Sequence, residues 1–254
     1  MTEAGGRVMP AQAMLLAAGQ GMRLRPLTER IPKCMVRLGG KPLLEYGIRW
    51  LSKHGVTDLA INLHHLPGTV TEYFADGRQW GVRITYSVEA EPLGTAGGVK
   101  RMAAFFRGPF FVWYGDNLST CRLDHLWEQH RSRRGTVTIA LHERDDPTHG
   151  GIVGLDAQDR ITRFLEKPAP DEVFSRWVNA GIYVLEPEVL DQIPAGQAMD
   201  FGRDVFPAML SAGGGLYGYR MSGRERLWWI DRSEDLRRVE LEWKTIEPGL
   251  WEPA

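Results

Sequence analysis

The stretch MLLAAGQGMRLRPLTERIPK, residues 14–33, decides the fold of this chain. Its first five residues are apolar, as in a buried parallel strand, and they run directly into GQG at residues 19–21. Glycines at the end of a strand predict a tight turn, where backbone N–H groups can come close to an anion. Arg23, Arg25 and Lys33 follow, so the sequence predicts a phosphate site with three cations on one loop.

Two better-known phosphate loops do not fit this stretch. It contains no G-x-x-x-x-G-K-S/T, and Leu24 stands where the dinucleotide fingerprint has its third glycine. Pro26 and Pro32 exclude a regular helix across the loop. The glycines alone leave open a plain strand-to-helix turn with solvated arginines.

Composition narrows the classes of partner. The chain has 254 residues, 43% of them hydrophobic, and a net charge of −1, so it can bury a core but has no global field for nucleic acid or membrane. No apolar stretch approaches the roughly 20 residues needed to span a bilayer. Cys34 and Cys121 form no C-x-x-C pair, and residues 1–10 lack a secretory pattern. We therefore expect a soluble cytoplasmic protein without nucleic-acid or membrane partners.

Strand and helix patterns alternate through the first half. The predicted strands cover residues 14–18, 58–63, 82–88, 109–114 and 136–142, and the predicted helices cover residues 43–51, 69–75, 99–105 and 123–133. The segment at residues 89–98, rich in Glu, Pro and Gly, is predicted to be a loop. Strands separated by helices predict an α/β fold with a doubly wound, mainly parallel sheet.

The pattern changes after Asp145. Short strands at residues 151–155, 161–166 and 178–185 predict a mixed or antiparallel sub-sheet that forms the wall of a cleft. The remaining predicted elements are a helix at 201–211, strands at 216–221 and 227–230, and a closing helix at 233–244.

Residues 16–28, LAAGQGMRLRPLT, and residues 32–34, PKC, resemble the signature of the sugar-1-phosphate nucleotidyltransferases. That signature reads L-A-G/A-G-x-G-T/S-R-L-x-P-L-T, followed by P-K-P. Met22 and Cys34 depart from it. Within this family, its motifs most resemble those of mannose-1-phosphate and heptose-1-phosphate guanylyltransferases.

The resemblance implies a Rossmann-like nucleotide-diphospho-sugar transferase fold in one domain. Its nucleotide-binding half would cover residues 12–143 and its sugar-binding half, with the inserted smaller sheet, residues 144–231. A closing helix and tail would follow at 232–254, and residues 1–11 are predicted to be a loose tail. We find no hexapeptide repeat and expect no C-terminal β-helix domain.

The implied reaction is attack of a sugar 1-phosphate oxygen on the α-phosphorus of a nucleoside triphosphate, which needs charge neutralisation. By resemblance, Arg23 would hold the β- and γ-phosphates, and Lys33 would lie near the α-phosphate. Asp116, in a G-D-N motif, and Asp231 would bind Mg2+. Asp231 with Glu234 could instead cap the last helix. The catalytic candidates are therefore Arg23, Lys33 and Asp116.

The nucleotide would bind at the end of the first strand and at PLGTAG, residues 92–97, which resembles a loop common among guanylyltransferases. A carboxylate only accepts hydrogen bonds and guanine offers two adjacent donors, so Glu89 or Glu91 favours GTP. Either could equally be a solvated loop charge. The candidate nucleotide-binding residues are Leu16, Ala17, Ala18, Gly19, Gly21, Glu89, Glu91, Gly94 and Thr95.

The sugar phosphate would be bound by the second half. Residues 166–168 match the family's E-K-P, in which Glu166 accepts from sugar hydroxyls and Lys167 meets the phosphate. VNAGIY, residues 178–183, matches a further family segment that contains Asn179. The candidate sugar-phosphate residues are Gly151, Glu166, Lys167 and Asn179.

The sequence alone is compatible with other functions. UTP, CTP or dTTP could replace GTP, and a catalytically silent, sugar-nucleotide-binding regulator is a second class of function. A dehydrogenase is disfavoured because the third glycine is missing. The sequence does not identify the sugar. It also does not identify the oligomeric state, and a homo-oligomer is one of the states that it allows.

Overall fold

Strands are separated by helices through most of the first half of the chain, whereas four strands follow one another in the second half. The computed structural model describes residues 8–251, and the parts of the predicted tails at residues 1–7 and 252–254 lie outside the described residues. The strands are β1 (Gln12–Leu16), β2 (Arg37–Leu38), β3 (Lys41–Pro42), β4 (Asp58–Leu63), β5 (Arg83–Val88), β6 (Phe110–Tyr114), β7 (Asn117–Ser119), β8 (Val137–Glu143), β9 (Gly151–Leu155), β10 (Ile161–Glu166), β11 (Trp177–Leu185), β12 (Leu216–Arg220) and β13 (Leu227–Trp229). The α-helices are α1 (Leu43–Lys53), α2 (Pro67–Phe74), α3 (Gly94–Arg101), α4 (Leu123–Arg133), α5 (Phe206–Ser211) and α6 (Ser233–Trp251).

A nine-stranded sheet forms the centre of the molecule. Its order is β10-β9-β11-β6-β1-β4-β5, with β8 paired to β11 and β12 paired to β8. The four strands β6, β1, β4 and β5 are parallel, whereas β11 pairs antiparallel with β6. Small antiparallel sheets join β2 to β3 and β7 to β13. The predicted α/β class with a mainly parallel central sheet is confirmed.

The predicted sub-sheet, β9 to β11, is continuous with the central sheet. Strand β11 has nine residues, so it can pair with β6 near Tyr183 and with β9 at Val178. Its register against β8 shifts between Asn179 and Tyr183, where Gly181 has a φ of +68°. A bulge of this kind re-aims side chains at the rim of a sheet, and here it lies beside the carboxyl end of β6.

Strand β1 lies at the point where the order of the parallel strands reverses. From β1 the chain moves to β4 and β5 on one side, and then returns to β6 on the other side. Ligands of open α/β sheets bind beyond the carboxyl ends of strands at such a reversal. The loop that follows β1, which carries the predicted phosphate site, therefore lies where a ligand is expected.

Two apolar layers hold β1 in place. Ala13 and Leu15 pack in one layer with Ile48 of α1, whereas Met14 packs in the other layer with Val99 of α3. The alternation follows from the two-residue period of a strand. Each fully buried aliphatic side chain contributes about 2 kcal/mol, so the strand is a rigid base for the loop that follows it.

Helix α3 departs from the prediction. It was expected at residues 99–105, but it begins at Gly94 and ends at Arg101, so half of the predicted loop is helical. Gly94 and Gly97, which indicated a loop, lie inside the helix, and another backbone segment passes too close to them for a side chain. A Cβ at Gly97 would lie 2.4 Å from the carbonyl oxygen of Gln197.

Helix α6 packs against the loop that follows β1, residues 17–33, which we call the phosphate loop. A third apolar cluster joins Leu24 of that loop, Leu118 of β7, Ile230, and Val239 of α6. This contact holds the loop after β1 and helix α6 together on one side of the cleft. Helix α6 has 19 residues, and no helix within residues 8–251 is both long and apolar enough to cross a membrane.

Candidate active site

A cleft opens at the carboxyl ends of β1 and β6. It has a larger lobe of about 540 Å³ and a smaller lobe of about 280 Å³. Lys33, Asp116 and Tyr114 line both lobes, so the two are connected at these side chains. Two adjoining chambers that share a charged junction can hold two reactants side by side.

The phosphate loop is shaped by Gly21. Its φ is +62°, a left-handed conformation that favours glycine, and a Cβ there would lie 2.8 Å from Cβ of Lys33. The Thr28 hydroxyl donates to the carbonyl oxygen of Gly21 at 2.7 Å. Gly19, by contrast, has nothing within 4 Å of where its Cβ would be. The turn is therefore fixed at Gly21 and open to a ligand at Gly19.

Lys33 lies between two carboxylates. Its Nζ donates to Oδ2 of Asp116 at 2.5 Å and to Oδ1 of Asp231, and Arg23 Nη2 lies 3.1 Å from Oδ2 of Asp231. Burial tends to lower the pKa of Lys33, but Asp116 and Asp231 outweigh it and raise that pKa. Burial likewise tends to raise the pKa of Asp231, but Lys33 and then Arg23 lower it. The pKa shifts of Lys33 and Asp231 therefore both favour the charged forms of these two groups.

The pairing of β7 with β13 brings the two aspartates together. Asn117 pairs with Trp229 in this antiparallel ladder, so Asp116, just before Asn117, lies beside the residues just after Trp229. Asp231 does not cap α6, because its carboxylate faces Lys33 and Arg23. The carboxylate of Asp235 instead accepts from the backbone N–H of Asp231 at 3.2 Å.

The same two carboxylates fit a hard divalent cation. Both contact one cationic atom, Nζ of Lys33, so their oxygens converge on a single point. Mg2+ in sites that bind phosphate commonly takes only one or two protein carboxylates. Within residues 8–251, no group of three or more His, Cys, Asp or Glu side chains could hold a metal. A metal here would therefore depend on phosphate and water for its other ligands.

The smaller lobe contains most of the predicted nucleotide-binding residues. Those that line it are Leu16, Ala17, Ala18, Gly19, Glu89, Gly94 and Thr95, and Gly21 lines the larger lobe. Glu91 is exposed and lines neither lobe. Of the two candidate carboxylates, Glu89 therefore lies at the smaller lobe and Glu91 does not.

Glu89 is 2% exposed and both of its oxygens have partners. Asn62 Nδ2 donates to Oε1 at 2.8 Å, and the backbone N–H of Leu93 donates to Oε2 at 2.9 Å. Asn62 in turn accepts from the backbone N–H of Ala17 at 2.9 Å. Sequence reasoning missed Asn62, although its place at the carboxyl end of β4 was a usable signal.

The larger lobe brings together all four predicted sugar-phosphate residues, Gly151, Glu166, Lys167 and Asn179. A Cβ at Gly151 would lie 2.6 Å from Oε2 of Glu166, and a Cβ at Gly202 would lie 2.5 Å from it. Burial first, and then Asp200, raises the pKa of Glu166. Two glycines therefore enclose a carboxyl group whose proton is held more tightly than usual.

Several lining residues were not predicted from the sequence. Trp229, His149 and Gly181 line the larger lobe, and Asp200 and Tyr114 line both lobes. Trp229 belongs to a predicted strand and Tyr114 ends one, but strand patterns do not say which side chains face a ligand. Asp200 lies in a segment without a periodic pattern.

Burial lowers the pKa of His142, in β8, from 6.5 to about 4, and Arg144 adds to the effect. The ring meets the indole of Trp229 with centroids 4.9 Å apart, and Nε2 has no hydrogen-bond partner among residues 8–251. A depressed folded-state pKa means that the neutral ring stabilises the fold above about pH 6.5 and that this stability is lost toward pH 4. We expect the free energy of unfolding, measured with urea, to fall by up to about 3 kcal/mol across that window.

His142→Phe keeps an aromatic ring against Trp229 and removes this titration. Its free energy of unfolding should therefore depend less on pH than that of the wild type between these limits. His125 is exposed, so His125→Phe is the matched control and should keep the wild-type pH dependence. A His142→Phe profile as steep as the wild-type profile would assign the acid sensitivity to other groups.

Comparison with known proteins gives the family. Residues 12–244 match a family described as nucleotidyl transferase. A UTP–glucose-1-phosphate uridylyltransferase from Synechocystis sp. is 34% identical over 94% of this chain and 68% of its own length. A mannose-1-phosphate guanylyltransferase from Mycobacterium tuberculosis is 38% identical over 82% of this chain and 58% of its own length. The chain thus spans between 58% and 68% of these two relatives.

Solved structures share the fold at lower identity. HddC from Yersinia pseudotuberculosis, complexed with GMP-PN, superposes with a TM-score of 0.77 at 22% identity, over 91% of this chain and 99% of that chain. A UDP-glucose pyrophosphorylase complexed with UDP-glucose gives 0.81 at 17% identity, over 94% and 100%. The family match over residues 12–244 shows that the chain belongs to the nucleotidyl transferase family. Its relatives above 30% identity are named as sugar-1-phosphate nucleotidyltransferases, which confirms the resemblance found in the sequence.

Proposed function

We propose that this protein transfers a nucleotidyl group from a nucleoside triphosphate to a sugar 1-phosphate. An oxygen of the sugar phosphate attacks the α-phosphorus and forms a new P–O bond. The bond from the α-phosphorus to the bridging oxygen breaks, and pyrophosphate leaves with the electron pair. The observation that carries this proposal is the group of Lys33, Arg23, Asp116 and Asp231 at the junction of two lobes.

We assign one substrate to each lobe of the cleft. The nucleotide occupies the smaller lobe, where backbone at the end of β1 and the buried Glu89 are available. The sugar occupies the larger lobe, where Glu166 and Asn179 can bind hydroxyl groups. Lys33 then lies between the reactants, where its ammonium neutralises charge that develops at the transferred phosphate. Arg23, on the phosphate loop, binds the departing pyrophosphate portion.

Asp116 and Asp231 would hold Mg2+ in this proposal. When bound, the ion supplies charge neutralisation for the phosphate groups of the nucleotide. Both carboxylates contact Nζ of Lys33, so they lie close enough to share one cation, and Mg2+ would bind at carboxylate oxygens that Lys33 does not contact. The unbridged thiols of Cys34 and Cys121 agree with a reducing compartment, so we place the reaction in the cytoplasm.

We favour GTP as the nucleotide. Glu89 offers acceptor-only oxygens in the smaller lobe, and its second lone pairs can meet the two adjacent donors of guanine. The relative from Mycobacterium tuberculosis is named a guanylyltransferase. UTP is the second candidate, because the relative from Synechocystis is named a uridylyltransferase.

A pyrophosphate-release assay with Mg2+ tests both levels of the proposal. GTP, UTP, CTP, dTTP and ATP are each paired with mannose, glucose, heptose and amino-sugar 1-phosphates. We expect release that requires both substrates and is fastest with GTP. Fastest release with UTP would overturn the choice of nucleotide but keep the reaction. Nucleotide binding without release in any pair would support a silent, regulatory homologue.

A further inference from the structure

A backbone segment from the second half of the chain is hydrogen-bonded to residues 93–97, in the PLGTAG stretch. We call residues 197–201 the strap. The N–H of Met199 donates to the carbonyl oxygen of Leu93 at 2.9 Å, and the N–H of Ala96 donates to the carbonyl oxygen of Met199, also at 2.9 Å. The N–H of Gly97 reaches the same oxygen at 3.2 Å. The strap therefore takes up backbone groups at the start of α3 that a helix leaves without intrahelical partners.

The glycines of the PLGTAG loop make room for the strap. A Cβ at Gly94 would lie 2.4 Å from the carbonyl oxygen of Met199, and Gly94 has a φ of +71°. A Cβ at Gly97 would lie 2.4 Å from the carbonyl oxygen of Gln197. Close backbone approach thus requires glycine at both positions. The motif accommodates a second protein segment as well as a ligand.

A side-chain contact closes the same junction. Thr95 Oγ1 donates to Oδ2 of Asp200 at 2.9 Å and accepts from the N–H of Phe201 at 2.9 Å. The other carboxylate oxygen of Asp200 accepts from the N–H of Gly202 at 2.9 Å and of Arg203 at 3.2 Å. Asp200 therefore caps the π-helical turn at Phe201–Val205 with one oxygen and holds Thr95 with the other.

This contact lies between the two halves of the cleft. Thr95 lines the smaller lobe, and Asp200 lines both lobes. Gly202, two residues after Asp200, encloses the carboxylate of Glu166 in the larger lobe. A movement of α3 would therefore be transmitted through Asp200 to the residues around Glu166.

We propose that the contact between Thr95 and Asp200 is a clasp that couples nucleotide binding to sugar-phosphate binding. Thr95 is a positioning residue, because it reaches the larger lobe through its contacts with Asp200 and with the N–H of Phe201. The proposal rests on the proposed function for the identity of the two ligands. Coupling between sites is reciprocal, so breaking the clasp from either side must weaken the response of each lobe to the ligand of the other.

Two substitutions break the clasp from opposite sides. Thr95→Val removes the hydroxyl, and Asp200→Ser keeps an oxygen that can cap the turn but removes the oxygen that Thr95 contacts. We expect Thr95→Val to raise the KM for the sugar 1-phosphate about tenfold, with a smaller change in kcat, although Thr95 does not line the sugar lobe. The double variant should resemble the single variants, because their effects share one contact.

Matched controls separate the clasp from general damage. Thr71→Val removes a threonine hydroxyl on α2, which donates to Gly68 at 3.2 Å, and Asp156→Ser changes an aspartate that caps a surface turn. Both should keep wild-type KM values. If Thr95→Val lowers only the melting temperature and kcat while both KM values stay at the wild-type level, the clasp is merely structural and the proposal is overturned.

Hydrogen exchange provides a measurement that needs no turnover. In the wild type, GTP or UTP should slow exchange at the amides of Gly202 and Arg203, which donate to Asp200. In Thr95→Val this slowing should be lost, whereas the amide of Met199, which donates to Leu93 without help from Thr95, should still be slowed. Equal slowing at Gly202 and Arg203 in both proteins would overturn the coupling. A wild type that releases no pyrophosphate with any pair would remove the proposed function, and exchange would then decide the clasp. Release with an unchanged sugar KM in Thr95→Val would remove only the clasp.

Discussion

Replacing Lys33 with methionine is expected to lower kcat by about 10²- to 10³-fold, with a much smaller change in the KM for the nucleotide. Nζ of Lys33 lies where the two lobes meet, held by Asp116 and Asp231. A fixed cation at that point stabilises charge that develops during transfer more than it stabilises the bound substrate. Methionine keeps the apolar stem and removes the charge. Pyrophosphate release at saturating substrates measures the change.

The control for this variant is Lys244→Met, which removes an exposed lysine from α6 and should keep wild-type kinetics. Thermal unfolding of Lys33→Met shows whether the two aspartates, left without their shared ammonium, destabilise the fold. If kcat is retained while the nucleotide KM rises, Lys33 is a binding residue and the transition-state role assigned to it is wrong.

The fold could be predicted where each element carries its own local pattern. β4 and α4 have the predicted bounds, residues 58–63 and 123–133, because apolar periodicity and turn residues mark both ends. Helix α3 could not be placed in this way. Gly94 and Gly97 look like loop residues, and the close approach of residues 197–201, far away in the sequence, explains why glycine is needed at both positions.

The residues of the candidate site likewise fall into those that lie in a local motif and those that are placed by contacts distant in the sequence. Residues with a motif around them, such as Lys33 and Glu166, could be proposed from the sequence and lie in the cleft. The bridge from Lys33 to Asp231 could not, because it depends on a ladder between two three-residue strands, which are too short to show a period. Asp200 could not be proposed from the sequence either, because its place in the site depends on a hydrogen bond from Thr95, which is far away in the sequence.

Asp116→Asn and Asp231→Asn are each expected to lower kcat/KM by on the order of 10³-fold and to raise the Mg2+ concentration needed for half-maximal activity. Each substitution keeps the shape of the side chain and removes one of two carboxylates that converge on one point. With a single protein carboxylate left, the proposed ion loses half of its charged protein ligands. Pyrophosphate release measured across a Mg2+ titration gives both quantities.

The two variants should also differ from each other, and this difference tests the geometry. The carboxylate of Asp231 contacts both Lys33 and Arg23, whereas Asp116 contacts Lys33. Asp231→Asn should therefore raise the nucleotide KM more than Asp116→Asn does, because it also releases Arg23 from its partner. Asp58→Asn, which breaks a surface pair with Arg83 at 2.6 Å, is the matched control and should change neither quantity. An unchanged Mg2+ dependence in either active-site variant would show that its carboxylate does not bind the metal.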